Sequence, residues 1–208
     1  FPSDTLNILA SFSKNSSLWI AAFALILSAN WFALSLSIRE IIQEKNLFSS
    51  EIRKGVSPFG ILFAKLFFIS SIAFFQTLIC FGFLNAVLSI AVSPLWLCVA
   101  FLSTILPATL LGLLASCLVK NTSQANILLP LLIIPQVILG GALVPIDQMT
   151  TIGRMLSALI PAKYNLDCLK NLFLNVSIHS QDLIVPIILA CIFYIITWRL
   201  FSILGKAK

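Results

Sequence analysis

Charge is scarce in this chain. Only 10% of its 208 residues are Asp, Glu, Lys or Arg, against 60% that are hydrophobic. Soluble domains carry roughly 25% charged residues, so a water-bathed globular domain is excluded. Disorder is excluded as well, because disordered chains are poor in apolar residues. There is one histidine, His179, and it stands in a polar stretch. An imidazole-based acid–base or metal centre therefore lacks a second member. No phosphate loop is present, since Gly205-Lys206-Ala207 does not make one. The five cysteines, Cys80, Cys98, Cys117, Cys168 and Cys191, include no CxxC pair, which excludes the common zinc and dithiol motifs. Four of them fall in or at the ends of apolar runs as small packing residues. Cys168 lies in a polar segment, where it stays free or pairs with another chain. No catalytic site is expected here, and ATP, if used, would be held by another domain or chain.

What the chain has instead is long apolar runs, at 18–38, 59–88, 94–119, 124–144 and 182–204. Each reaches the roughly 20 residues that cross about 30 Å of hydrocarbon at 1.5 Å per residue. They lack two-residue alternation, so helices fit and a β-barrel does not. The fold class is all-α integral membrane, a polytopic helical bundle with five spans. Ser57-Pro58 and Ser93-Pro94 each offer a capping hydroxyl followed by proline at the first helical position.

The formal net charge is +6. The basic residues sit between apolar runs, where topology puts them, so no nucleic acid is expected as a partner. Arg39, Lys45, Arg53, Lys54, Lys65, Lys120, Arg199, Lys206 and Lys208 fall on one side, and Lys14, Arg154, Lys163 and Lys170 on the other. The richer side is cytoplasmic by the positive-inside rule. The first residue is then outside and the last inside, as five spans demand. The chain begins at Phe1 without a basic leader, so no signal peptide is expected, and an upstream part including a preceding span is.

Two segments outside the runs stand out. The inner one, 39–57, continues from Ile38 with Ile41 and Ile42 on the same face and charges on the other, which suits a short amphipathic helix on the bilayer or against a partner. The outer one, 145–181, repeats Ile152, Met155, Leu156, Leu159 and Ile160 at helical spacing, which suits an interfacial or re-entrant helix. Inside the runs, Asn30, Gln76 and Gln136 are polar near mid-depth. They read either as interhelical hydrogen bonds or as ligand contacts in a cavity walled by Trp31, Phe32 and Ile134. No Asp, Glu or His lies at mid-depth, which argues against an ion-coupled carrier or channel. That class and a non-transporting membrane assembly scaffold are the alternatives to the reading that follows.

Arg39-Glu40-Ile41-Ile42 through Glu44-Lys45-Asn46-Leu47-Phe48, then Gly55-Val56-Ser57-Pro58-Phe59 and Lys65, resembles the membrane domain of ABCG-like exporters of the ABC-2 family. Gly140-Gly141-Ala142-Leu143-Val144-Pro145 and Leu159-Ile160-Pro161-Ala162-Lys163-Tyr164 are similar to two further stretches of that family, in the same order. The resemblance implies that residues 1–208 are a fragment of an ABC-2 type transmembrane domain, whose five runs are spans two to six of six. It implies that 39–57 is a cytoplasmic coupling helix meeting a nucleotide-binding domain, with Arg39, Glu40, Glu44, Lys45, Phe48 and Arg53 as its coupling residues. It implies a dimer with a second membrane half, homo- or heterodimeric, that moves a hydrophobic or amphipathic substrate by alternating access. Asn30, Phe32, Ile134 and Gln136 would line the cavity, and Ala142 and Leu143 would form an apolar plug above it. The membrane would be a plasma membrane or a bacterial inner membrane.

The orientation has a direct check. In a eukaryotic host, the acceptor sites Asn15 and Asn175 are expected to carry glycan and Asn121 is not. Glycan on Asn121 but never on Asn175 would invert the topology.

Overall fold

The computed structural model describes residues 3–141, 144, 146–174 and 179–206, with side chains at 17–141, 144, 146, 148–174 and 179–203. Every regular element among these residues is helical. They are α1 (Ser3–Ser37), α2 (Glu40–Gln43), α3 (Lys45–Arg53), α4 (Pro58–Leu88), α5 (Pro94–Leu118), α6 (Thr122–Leu139), α7 (Thr151–Ser157), α8 (Pro161–Phe173) and α9 (Ser180–Lys206), with a 3₁₀ turn at Ile146–Gln148. Five stretches are long and apolar enough to cross a membrane: Ser17–Gln43, Pro58–Leu88, Pro94–Leu118, Thr122–Leu139 and Ser180–Ile203. The chain is thus an all-α polytopic membrane domain.

Local chemistry sets the helix ends. Ser57 Oγ accepts from Gly60 N at 3.2 Å, and Pro58 supplies a fixed φ at the first position. Ser93 differs from the sequence expectation. Its backbone is extended before Pro94, but its exposed side chain makes no cap bond, so proline alone starts α5. Asn121 Oδ1 accepts from Gln124 N at 2.8 Å, and Gln124 Oε1 accepts from Lys120 N at 2.9 Å, a reciprocal cap that permits the short turn between α5 and α6. α6 stops at Leu139, short of the apolar run's end, because Gly141 takes a left-handed φ of +83°. α1 instead starts earlier than its apolar run and continues helical back to Ser3.

α5 is the centre of the bundle. Of its most apolar stretch 67% is buried, against 50% for α1 and 22%, 11% and 17% for α4, α6 and α9. Ala100, Thr104, Ala108, Gly112 and Ser116, four residues apart along α5, are all buried. α1 answers with buried Ala22, Ala29, Ala33 and Ser37. In hydrocarbon the solvent gives apolar side chains no reason to cluster, so small residues that let backbones approach closely decide which helices pair. The approach is tightest at Gly112. A Cβ there would land on Ser37 Oγ and come within 3.0 Å of Ser37 Cβ and 3.3 Å of Ile38 N.

The described part of the segment 145–181 divides between the two settings its sequence suits. Ile152, Met155, Leu156 and Leu159 are exposed, as an interfacial helix would have them. α8 is packed into the bundle, as a re-entrant segment would be. α8 buries Ala162, Asn165, Leu166, Cys168, Leu169, Leu172 and Phe173 among α1, α5 and α9. Ser103 of α5 and Asn165 of α8 meet through their side-chain oxygens at 3.2 Å, and Phe81 bridges Phe101 and Phe173 at ring distances of 6.1 and 6.4 Å. The mixed polar and apolar pattern of 161–173 hid this, because polar residues such as Asn165 are taken into the bundle together with the apolar ones.

Gly112→Ala is expected to destabilise the domain by about 1–3 kcal/mol through overpacking against α1. Adding Ser37→Ala should return part of the loss by removing the colliding oxygen. Thermal midpoints in detergent read both, and a Gly112→Ala variant as stable as the parent would remove this helix pair from its central position.

Candidate functional site

The segment between α1 and α4 is built by side chains that come from far away in the sequence. Ser37 Oγ turns back to Ala33 O at 2.6 Å, satisfying itself as α1 ends. α2 then begins with unpaired amides and no cap of its own, since Arg39 contributes no side-chain bond. Ser116 Oγ, from the last turns of α5, accepts from Ile41 N at 3.0 Å and Ile42 N at 3.2 Å. This cap is supplied 75 residues away in sequence, so no local signal could have pointed to it. α3 turns Phe48 and Ser49 inward. Phe48 meets Phe201 of α9 edge to face, with centroids 5.4 Å apart. Between α3, α5 and α9 lies a narrow cleft lined by Ile42, Lys45, Phe48, Ile52, Cys117 and Phe201, among others.

The six residues singled out in this segment divide in two. Glu40, Glu44 and Phe48 face the body of the protein. Lys65 Nζ, on α4, donates to Glu40 Oε1 at 2.6 Å and to Glu44 Oε2 at 2.7 Å, and lies 5.4 Å from the Phe48 ring centroid. Arg39 and Arg53 are exposed, together with Asn46, Leu47, Lys54 and Val56, and Lys45 is half-buried at the cleft. The result is a platform with a basic and apolar outer face and an inner face fixed to three long helices. The return to α4 is a tight turn in which Gly55 adopts a φ of +93° that side-chain-bearing residues avoid.

The four residues named for the cavity are not gathered in one place. Asn30 and Gln136 line a shared cleft between α1 and α6, with Ile133, Val137, Gly140 and Ala162 around them. Asn30 is buried and its Nδ2 donates to Ile26 O at 3.0 Å, while Gln136 Nε2 donates to Leu132 O at 3.4 Å. Both amides thus keep spare hydrogen-bonding capacity. Phe32 is half-buried against the main core and does not line this cleft. Ile134 is 53% exposed, on an outward stripe with Ile127, Leu131 and Ile138. Gln76 is half-buried in α4, with Oε1 unpaired among the described residues. Ala142 and Leu143, named for the plug, lie outside the described residues.

At the end of the bundle away from the platform Cys168 is wholly buried in α8, and its thiol is pushed up to about 12 by burial and by the nearby Asp182 and Asp167 carboxylates. A disulfide to another chain is therefore not accessible to it, which closes that alternative. Burial also raises the Asp167 carboxyl above its ordinary range, helped by Asp182 and opposed by Lys170, Lys163 and His179.

With this geometry in hand, comparison with known proteins gives one match. The family model described as ABC-2 type transporter matches residues 4–174, well over half of the chain. No curated protein matches, and no solved structure matches.

The raised Asp167 carboxyl makes a pH prediction with a definite sign. The folded state holds that proton to higher pH than the unfolded chain, so stability falls as pH rises through the raised value. Asp167→Asn is expected to raise the thermal midpoint at about pH 7.5 and to leave it nearly unchanged at about pH 3, below the ordinary carboxylate value of about 3.9, where the aspartate is mostly neutral in both states. An equal gain at both pH values would assign the effect to packing.

Proposed function

The chain belongs to the ABC-2 type transporter family, and on that premise we propose that it is the permease half of an ATP-driven exporter of the ABCG-like kind. An ABC-2 membrane domain is the permease component of an ABC transporter and generally works with ABC nucleotide-binding components. In this reading the nucleotide-binding domain, on the same polypeptide or a separate subunit, docks on the outer face of α3. ATP and magnesium are held by that domain, not by this chain. The observation that carries the proposal is the platform itself, whose exposed Arg39, Leu47, Arg53 and Lys54 form one face while Ser116, Lys65 and Phe201 fix the other. A short helix so fixed passes a push from a partner directly into the bundle.

Two such halves enclose the cargo path between α1 and α6 of each. The exposed stripe Ile127, Leu131, Ile134 and Ile138 faces the partner half, and the Asn30–Gln136 cleft opens toward the path, with Phe32 in the wall of the path beyond it. The chemistry suits a hydrophobic or amphipathic cargo, since a few amide groups in apolar walls orient a ligand without demanding charge. Ala142 and Leu143 would close the path on the outer side. Alternating access then consists of rigid helices rocking about packed interfaces. The platform end is cytoplasmic in this reading, with the first residue outside and the last inside.

In the complete transporter, Arg39→Ala combined with Arg53→Ala is expected to lower the dependence of ATP hydrolysis on the membrane domain by about fivefold or more, the usual scale of site-to-site coupling. Abundance and thermal midpoint should be unchanged, because both side chains are exposed. Full coupling in this variant would remove the outer face of α3 as the docking surface.

A further inference from the structure

Lys65 sits in α4 two turns beyond Pro58, inside a stretch long and apolar enough to span the membrane. A lysine alone near a span end stretches its head toward water. Here the head is instead held between two carboxylates, at 2.6 Å from Glu40 Oε1 and 2.7 Å from Glu44 Oε2. Glu40 and Glu44 stand four residues apart, on adjacent turns of the α2–α3 junction, where like charges repel unless a cation lies between them. The three side chains are 24%, 22% and 39% exposed, so the group is partly withdrawn from solvent screening. The Phe48 ring closes the side of the group nearest α9.

The placement of this group has a mechanical consequence. The platform is already joined to α4 by covalent bonds at its far end, through the turn at Gly55. Its beginning continues from α1, and Ser116 and Phe201 hold it to α5 and α9. The Lys65 pairs add a second attachment to α4 itself, between the platform's beginning and a deeper point of that helix. Held at both places, the platform cannot shift along α4 without breaking these pairs.

We propose that Lys65 is a positioning residue that bolts the platform to α4, so that a push on the outer face of α3 moves the platform and α4 as one body. Glu40 and Glu44 serve this bolt, and docking of the nucleotide-binding domain falls to the exposed cations. The inference rests on the permease reading for its meaning, but the bolt is measurable without it.

The test uses the complete transporter, with spin labels introduced as unnatural amino acids so that the native cysteines stay. One label replaces exposed Asn46 on α3 and the other exposed Val87 near the far end of α4. With Lys65 present, the Asn46–Val87 distance distribution is expected to be narrow and to stay so on adding a non-hydrolysable ATP analogue with magnesium. Lys65→Gln should broaden or shift it by about 5 Å, one helical pitch. Lys65→Arg should keep it narrow. So should the triple reversal Glu40→Lys, Glu44→Lys and Lys65→Glu, which restores the pairing with opposite signs. A narrow distribution in Lys65→Gln overturns the bolt, and so does a folded triple reversal that stays broad. If Lys65→Gln does not fold, Glu40→Gln with Glu44→Gln makes the same cut from the other side and carries the same two outcomes. The label on Asn46 alone separates the two inferences. If its spectrum ignores the nucleotide in the parent protein, the permease reading fails, while the width of the distribution still decides the bolt.

Discussion

The close approach of α1 and α5 is the constraint on which the remaining structure depends. Two helices can come this near only where one carries no side chain and the other a small one, and Gly112 against Ser37 meets that condition. Once the pair is set, the end of α1 lies beside the end of α5. The amides of Ile41 and Ile42 then fall within reach of Ser116, on the same four-residue ladder as Gly112. One ladder of small residues thus packs the core along most of its length and caps the platform at its last rung. Wider spacing of α1 and α5 would leave α2 without an N-terminal partner.

Electrostatics refines this arrangement. The bundle offers few polar partners, and a charge withdrawn from water must be paired or it carries a heavy desolvation penalty. Lys65 lies at that boundary. Its two carboxylate partners reach it because α1 and α5 have already fixed where α2 begins. The same scarcity explains the hydroxyls of the spans, several of which turn back on their own helix, as Ser28, Ser37, Thr77, Thr104 and Thr197 do. Such bonds satisfy the side chain without committing the helix to a neighbour, and α6, of whose most apolar stretch only 11% is buried, is lightly held at the rim. A transporter needs elements of that kind, since helices that move must be drawn from those with little buried surface.

α8 shows how a loop becomes core. Its polar residues discourage a membrane reading, yet Asn165 finds Ser103 and its apolar face fills the space between α1, α5 and α9. This packed helix occupies the end of the bundle opposite the platform. The two ends are therefore built differently. One presents a short segment held by a few polar bonds, and the other a packed helix held by apolar area.

The sequence by itself determined the class, the number of crossing helices among the described residues and the existence of a charged amphipathic segment between the first two. It could do so because hydrophobic length and proline-preceded starts act locally, within a turn or a span. The motifs carrying the family resemblance were legible for the same reason. Only the tertiary structure decided what the charged segment's residues face. Glu40, Glu44 and Arg53 look alike in sequence, as ions on one short stretch, and the fold turns the acids inward to Lys65 and leaves the arginine in solvent. It likewise separated Phe32 and Ile134 from Asn30 and Gln136, because a residue's partners depend on which helix lies opposite it. That choice belongs to the small residues that let particular pairs of helices touch, and it is not encoded in the hydrophobicity of either helix alone.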